Sequence, residues 1–130
     1  MPVGVLLVSH PGIGSALLSV ASQLLRRLPM AVEAFEVGFG DDPDAVLPAA
    51  SAALRRVDGG VGVLVLTDLY GATPANVASR LARLGTPVRR VSGLSLPMLL
   101  RVLNYPDKPL DELAEVAACG GRGGICIDKV

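Results

Sequence analysis

The stretch Val3-Gly4-Val5-Leu6-Leu7-Val8-Ser9-His10-Pro11-Gly12-Ile13-Gly14-Ser15 decides how the rest of the chain is read. Its first half is apolar without polar alternation, as a parallel strand covered on both faces requires. It ends on His10, the one histidine among 130 residues, directly before a glycine-bearing turn. Open α/β sheets keep their chemistry in the crevice outside the carboxyl ends of their strands. Imidazole changes charge near neutral pH and serves as nucleophile, base or cation. A core histidine bonded to backbone is the competing reading of the same residue.

Outward from this strand, Ser15 to Leu28 spaces Leu17, Leu18, Ala21, Leu24, Leu25 and Leu28 along one helix face, and Pro29 ends it. A second strand covers about Ala31–Val37 and leaves through Gly38-Phe39-Gly40. Asp42-Pro43 has the form of an N-cap and first-turn proline, opening a helix to about Val57 that Pro48 could kink or delay. After the turn Asp58-Gly59-Gly60 comes a third strand, Val61–Thr67. Thr73-Pro74 resembles another cap, leading a helix through Leu84. A fourth strand at Val88–Ser92 precedes helices at Leu96–Leu103 and Leu110–Ala118. The glycine cluster Gly120, Gly121, Gly123 and Gly124 then leads to a short last strand, Gly124–Asp128.

This alternation predicts an α/β fold in one domain, residues 1–130. The sheet is doubly wound and mainly parallel, in the flavodoxin-like order 2-1-3-4, with a short C-terminal edge strand and helices on both faces. The chain is 51% hydrophobic with no Trp, two Tyr and two Phe, so its core is aliphatic. Twelve basic residues balance twelve acidic ones, which argues against a broad nucleic-acid or anionic-membrane surface. Cys119 and Cys126 fit neither a redox pair nor a zinc set and are expected as buried, reduced thiols. The amino terminus lacks the basic region of a signal peptide, and no apolar run reaches the roughly 18 residues of a membrane helix. A soluble cytoplasmic protein with neither metal nor cofactor is expected.

The order 2-1-3-4 makes strands 1 and 3 neighbours, so His10 would face Asp68 across the switch point. A carboxylate accepting from one ring N–H fixes the tautomer and leaves the other nitrogen as a lone pair, hence a nucleophile. Gly12, Gly14 and Ser15 enter one helix, and Gly71 and Thr73 enter another. Helix amino termini offer unpaired N–H groups and partial positive charge to an anion such as phosphate. Plainer roles exist for the same residues: Asp68 as a turn residue, Thr73 as a cap, and Gly12 and Gly14 as a turn without a nucleotide fingerprint.

Three segments carry a resemblance: Val5-Leu6-Leu7-Val8-Ser9-His10, Thr67-Asp68-Leu69-Tyr70-Gly71-Ala72-Thr73-Pro74-Ala75-Asn76, and Ser92-Gly93-Leu94-Ser95-Leu96-Pro97-Met98-Leu99-Leu100. In their order and spacing they resemble the IIA domain of the mannose-type phosphoenolpyruvate-dependent sugar phosphotransferase system. The resemblance implies that His10 carries a phosphoryl group received from phospho-HPr and passed to a IIB protein for carbohydrate uptake, with Asp68 orienting the ring. It also implies a homodimer formed by exchange of the last strand. Pro11, Ala72 and Ser95 depart from the family's usual Gly, Gly and Asn, and bear on partner choice and rate. With the chain ending at Val130, the IIB acceptor is expected on a separate polypeptide.

A regulatory IIA, whose phosphorylation state controls a protein partner instead of sugar transport, is the alternative. A flavin carrier, a receiver domain and a cysteine phosphatase each demand residues absent after strand 1. A dihydroxyacetone-kinase phosphotransfer subunit differs after the strand 3 aspartate. Leu69, Tyr70, Met98 and Leu99 are candidate apolar contacts for HPr or IIB, if not simply packed. The glycine cluster is either a hinge for the exchanged strand or a loop.

Overall fold

The computed structural model describes residues 2–129. Its elements are β1 (Gly4–Ser9), α1 (Ile13–Leu25), β2 (Val32–Glu36), α2 (Pro43–Val57), β3 (Val63–Thr67), α3 (Thr73–Leu81), β4 (Val88–Ser92), α4 (Leu96–Leu103) and α5 (Leu110–Gly123). The four strands form one parallel sheet in the order β2-β1-β3-β4. Every residue of the two central strands is buried, whereas β2 and β4 at the edges are partly open.

Because side chains alternate across a strand, each central strand feeds two cores. Val5, Leu7, Leu64 and Leu66 pack with Leu99, Val102 and Leu113 from α4 and α5. Leu6, Val8, Val63 and Val65 pack on the other face with Leu54, Val77 and Leu81 from α2 and α3. Each fully buried Leu or Val contributes about 1.5–3 kcal/mol relative to exposure. The apolar continuity of β1 and β3 is therefore what places them in the middle.

Side-chain caps start two of the five helices, α2 and α4. Asp42 accepts from Asp44 N–H, and α2 then runs unbroken through Pro48. Ser95 accepts from Met98 N–H at 3.2 Å and caps α4. Helix α1 stops at Leu25, before Pro29, because Arg26 turns to φ 60°. Leu24, expected on the packed face, is 60% exposed.

The C-terminal edge strand expected at Gly124–Asp128 is not formed. Helix α5 continues to Gly123, so Gly120, Gly121 and Gly123 are helical rather than a hinge or loop. Glycine costs about 1 kcal/mol in a helix, but here it permits close contact with α4. A Cβ at Gly120 would sit 2.5 Å from Arg101 Cβ, and one at Gly121 would sit 2.9 Å from Met98 Cε. Beyond the helix, Ile125 and Ile127 are 79% and 93% exposed and pair with no strand. Cys119 and Cys126 are exposed free thiols, against the expectation of burial, because the surface turns of α5 and the irregular tail carry them.

Candidate functional site

Neighbouring β1 and β3 end side by side, with Val8 opposite Thr67. The next residues along each chain are therefore brought together. His10 Nδ1 lies 2.7 Å from Asp68 Oδ2, and His10 N–H donates to the same oxygen at 3.0 Å. The His10 side chain is 23% exposed and that of Asp68 only 8%. A carboxylate at this distance holds the proton on Nδ1, so Nε2 carries the lone pair. Among the described residues Asp68 Oδ1 is buried with no hydrogen-bond partner, and the carboxylate is committed to His10 through one oxygen.

The turn after His10 is pinned from below. Buried Ser9 donates its hydroxyl to His10 O and accepts from Gly14 N–H, both at 2.8 Å. Gly12, at φ 85°, makes the left-handed bend into α1. From the side, the Phe39 ring lies 5.5 Å from the imidazole, tilted by 31°. Phe39 is 83% exposed and was not singled out from the sequence, although an aromatic flanked by Gly38 and Gly40 at a strand end was a usable signal.

The two groups of phosphate-binding candidates fare differently. At α1, Ser15 N–H and Oγ both donate to Glu36 Oε2, at 3.2 and 2.5 Å. With Gly14 N–H on Ser9 and Ile13 N–H directed to His10 O at 3.4 Å, the donors of Ile13, Gly14 and Ser15 are committed within the protein. The Ser15 hydroxyl, followed by the Gly12 and Ser15 amides, holds the Glu36 carboxyl below its ordinary value of 4.5.

At α3 the arrangement is open. Ala72 is the N-cap and contributes no side-chain bond, so Thr73 is the first helical residue and not the cap its sequence suggested. Among the described residues no acceptor meets Gly71 N–H, Thr73 N–H or the Thr73 hydroxyl. Leu69 and Tyr70, between Asp68 and this terminus, are 59% and 86% exposed. Met98 and Leu99 are core residues at 3% and 0%, which removes them from the rim: the amphipathic turn of α4 points them at the sheet. A groove of about 500 Å³, lined by Tyr70, Arg90, Ser92 and Arg122 among others, runs along β4 and does not include His10.

A family model described as the fructose IIA component of the phosphotransferase system matches residues 4–116. The chain is 29% identical over 132 residues to the PTS system mannose-specific EIIAB component of Escherichia coli strain K12. That alignment covers 96% of this chain and spans 39% of the length of the E. coli protein. The fold superposes on the mannose/sorbose specific IIA subunit from Enterococcus faecalis with a TM-score of 0.86 at 28% identity, covering 100% of this chain and 97% of the other. The PTS IIA protein associated with the fucose utilization operon of Streptococcus pneumoniae gives 0.79 at 25% identity, over 97% and 93% of the two chains.

Proposed function

Given that the chain belongs to the EIIA-man family of phosphotransferase-system IIA components, we propose that it carries a phosphoryl group on His10 Nε2. The observation that carries this reading is the pairing of His10 Nδ1 with Asp68 at the strand ends. In the transfer, the donor N–P bond of phospho-HPr breaks and its electron pair returns to the donor ring. The Nε2 lone pair forms the new N–P bond in line, while the Nδ1 proton stays on the ring and the Asp68 carboxylate that accepts it offsets the positive charge gained by the ring. Gly71 N–H, Thr73 N–H and the Thr73 hydroxyl, unspent within the protein, receive the phosphoryl oxygens at the positive end of α3. Gly12, Gly14 and Ser15 are left out of that role. A IIB protein accepts the group next, for carbohydrate uptake from the cytoplasmic side.

Phe39 beside the ring, and Leu69 and Tyr70 directly after Asp68, are exposed and supply the apolar contact for HPr and IIB. No helix among the described residues is long and apolar enough to cross a membrane. The open edge of β4 and the exposed Ile125 and Ile127 support a homodimer in which the last residues pair with a second copy. Sedimentation as a monomer at micromolar concentration removes that last element. Incubation with phosphoenolpyruvate, enzyme I and HPr is expected to label the protein with an acid-labile, alkali-stable phosphoryl group. His10→Ala is expected to abolish the label, and a label retained there overturns the assignment.

A further inference from the structure

The end of β2 grips the reactive turn at three places. Val37 N–H donates to Ser9 O at 2.8 Å, Phe39 lies beside the imidazole, and Glu36 holds Ser15 through its N–H and its hydroxyl. Glu36 stands opposite Ser9 in the β1–β2 register, at the end of β1 that leads into His10, and its carboxylate lies on Ser15 in the first turn of α1. A negative charge on a helix amino terminus is favourable in itself. Here it has the sign of the group that His10 would carry, and it fills amides that the group would otherwise meet.

Resting on the carrier reading, we propose that Glu36 is a positioning residue that denies the amino terminus of α1 to the phosphoryl group. Donors that bind the resting phosphohistidine lower its free energy and make it a poorer donor, because such binding favours the ground state. With α1 closed by Glu36, the phosphoryl group meets only the α3 terminus and remains transferable. The exchange with HPr makes one N–P bond and breaks one, so its equilibrium constant compares the two phosphohistidines directly.

The test is that constant, read by mixing the full chain with phospho-HPr, quenching in alkali and measuring the phosphorylated fraction of each protein. Glu36→Gln and Glu36→Ala are expected to shift the equilibrium toward phospho-His10 by about two- to fivefold, the range for a helix terminus at an exposed site. Glu36→Asp, which keeps the charge, is expected to stay nearer the wild type. A merely structural Glu36 predicts an unchanged or reduced constant, and that result in both variants overturns the proposal. If those variants fail to fold, Ser15→Ala loosens the same clasp and is expected to shift the constant in the same direction by less. No shift there also overturns it. A wild type that takes no phosphoryl group defeats the carrier reading itself, and this inference with it.

Discussion

Helices α1 and α3 start alike and end up in opposite states. Both begin after a central strand, both follow a glycine with positive φ, and neither has a side-chain cap from its own first residues. Yet the α1 terminus is closed by Ser9 and Glu36, whereas the α3 terminus keeps free donors. The difference lies in the neighbouring strand. Beside β1 runs β2, which ends in a carboxylate, while β4 beside β3 ends in Ser92, whose hydroxyl is taken by Thr67 at 2.7 Å. An anion site is made as much by what the adjacent strand withholds as by the helix itself.

The severest way to break the comparison is at Asp68, the residue between the two termini. Asp68→Asn removes the charge that supports the ring during attack, and the rate of phosphoryl gain is expected to fall about a hundredfold or more, by rapid quench. Next, Ser9→Ala strands the buried N–H of Gly14 and opens α1 from below. Urea unfolding is expected to show a loss of about 1–3 kcal/mol. Thr73→Ala acts on the open end. It removes one of the donors proposed for the phosphoryl group, and the transfer rate is expected to drop about fivefold, the value of a typical hydrogen bond. Because Thr73 caps nothing, its melting temperature should hold. A lower melting temperature with an unchanged rate would mean that Thr73 serves the helix rather than the ligand.

The smallest effect comes from acid. The folded-state pKa of Glu36 lies below its ordinary value, so its stabilisation is complete above about 4.5 and is lost as pH falls through the lower folded value. Solvent screening keeps this contribution slight. Thermal melts below that pH should converge for wild type and Glu36→Gln and separate weakly near neutrality; separation of the opposite sign removes Glu36 as a clasp.

The pairing of His10 with Asp68 was legible in the sequence because apolar continuity marks β1 and β3 as covered strands, and right-handed crossovers in the usual flavodoxin-like order make them neighbours. The limits of β4 and α4 were legible too, since Pro87 and Ser95 mark them chemically. Glu36 was not legible: its partner Ser15 lies 21 residues away, and nothing local distinguishes it from any edge-strand acid. The fate of Gly120 to Gly124 was equally hidden. Glycine's low helix propensity speaks against a helix, and only the closeness of α4 overrides it. Met98 and Leu99 fell on the wrong side because a one-residue change in where a helix faces decides between rim and core.

One oxygen of Asp68 takes both the main-chain and the ring hydrogen of His10, so the nitrogen proposed to carry the phosphoryl group is aimed by the alignment of two strands as much as by a rotamer. Sliding β1 along β3 by a single residue would sever both bonds together. The tolerance of the chemistry is thus inherited from the tolerance of the sheet. A methyl group at Gly4, at the far end of β1, would overlap the Val57 carbonyl and press on that alignment. Damage done far down the strand should therefore surface as lost reactivity before the molecule visibly unfolds, which makes phosphorylation a gauge of how faithfully the sheet has assembled.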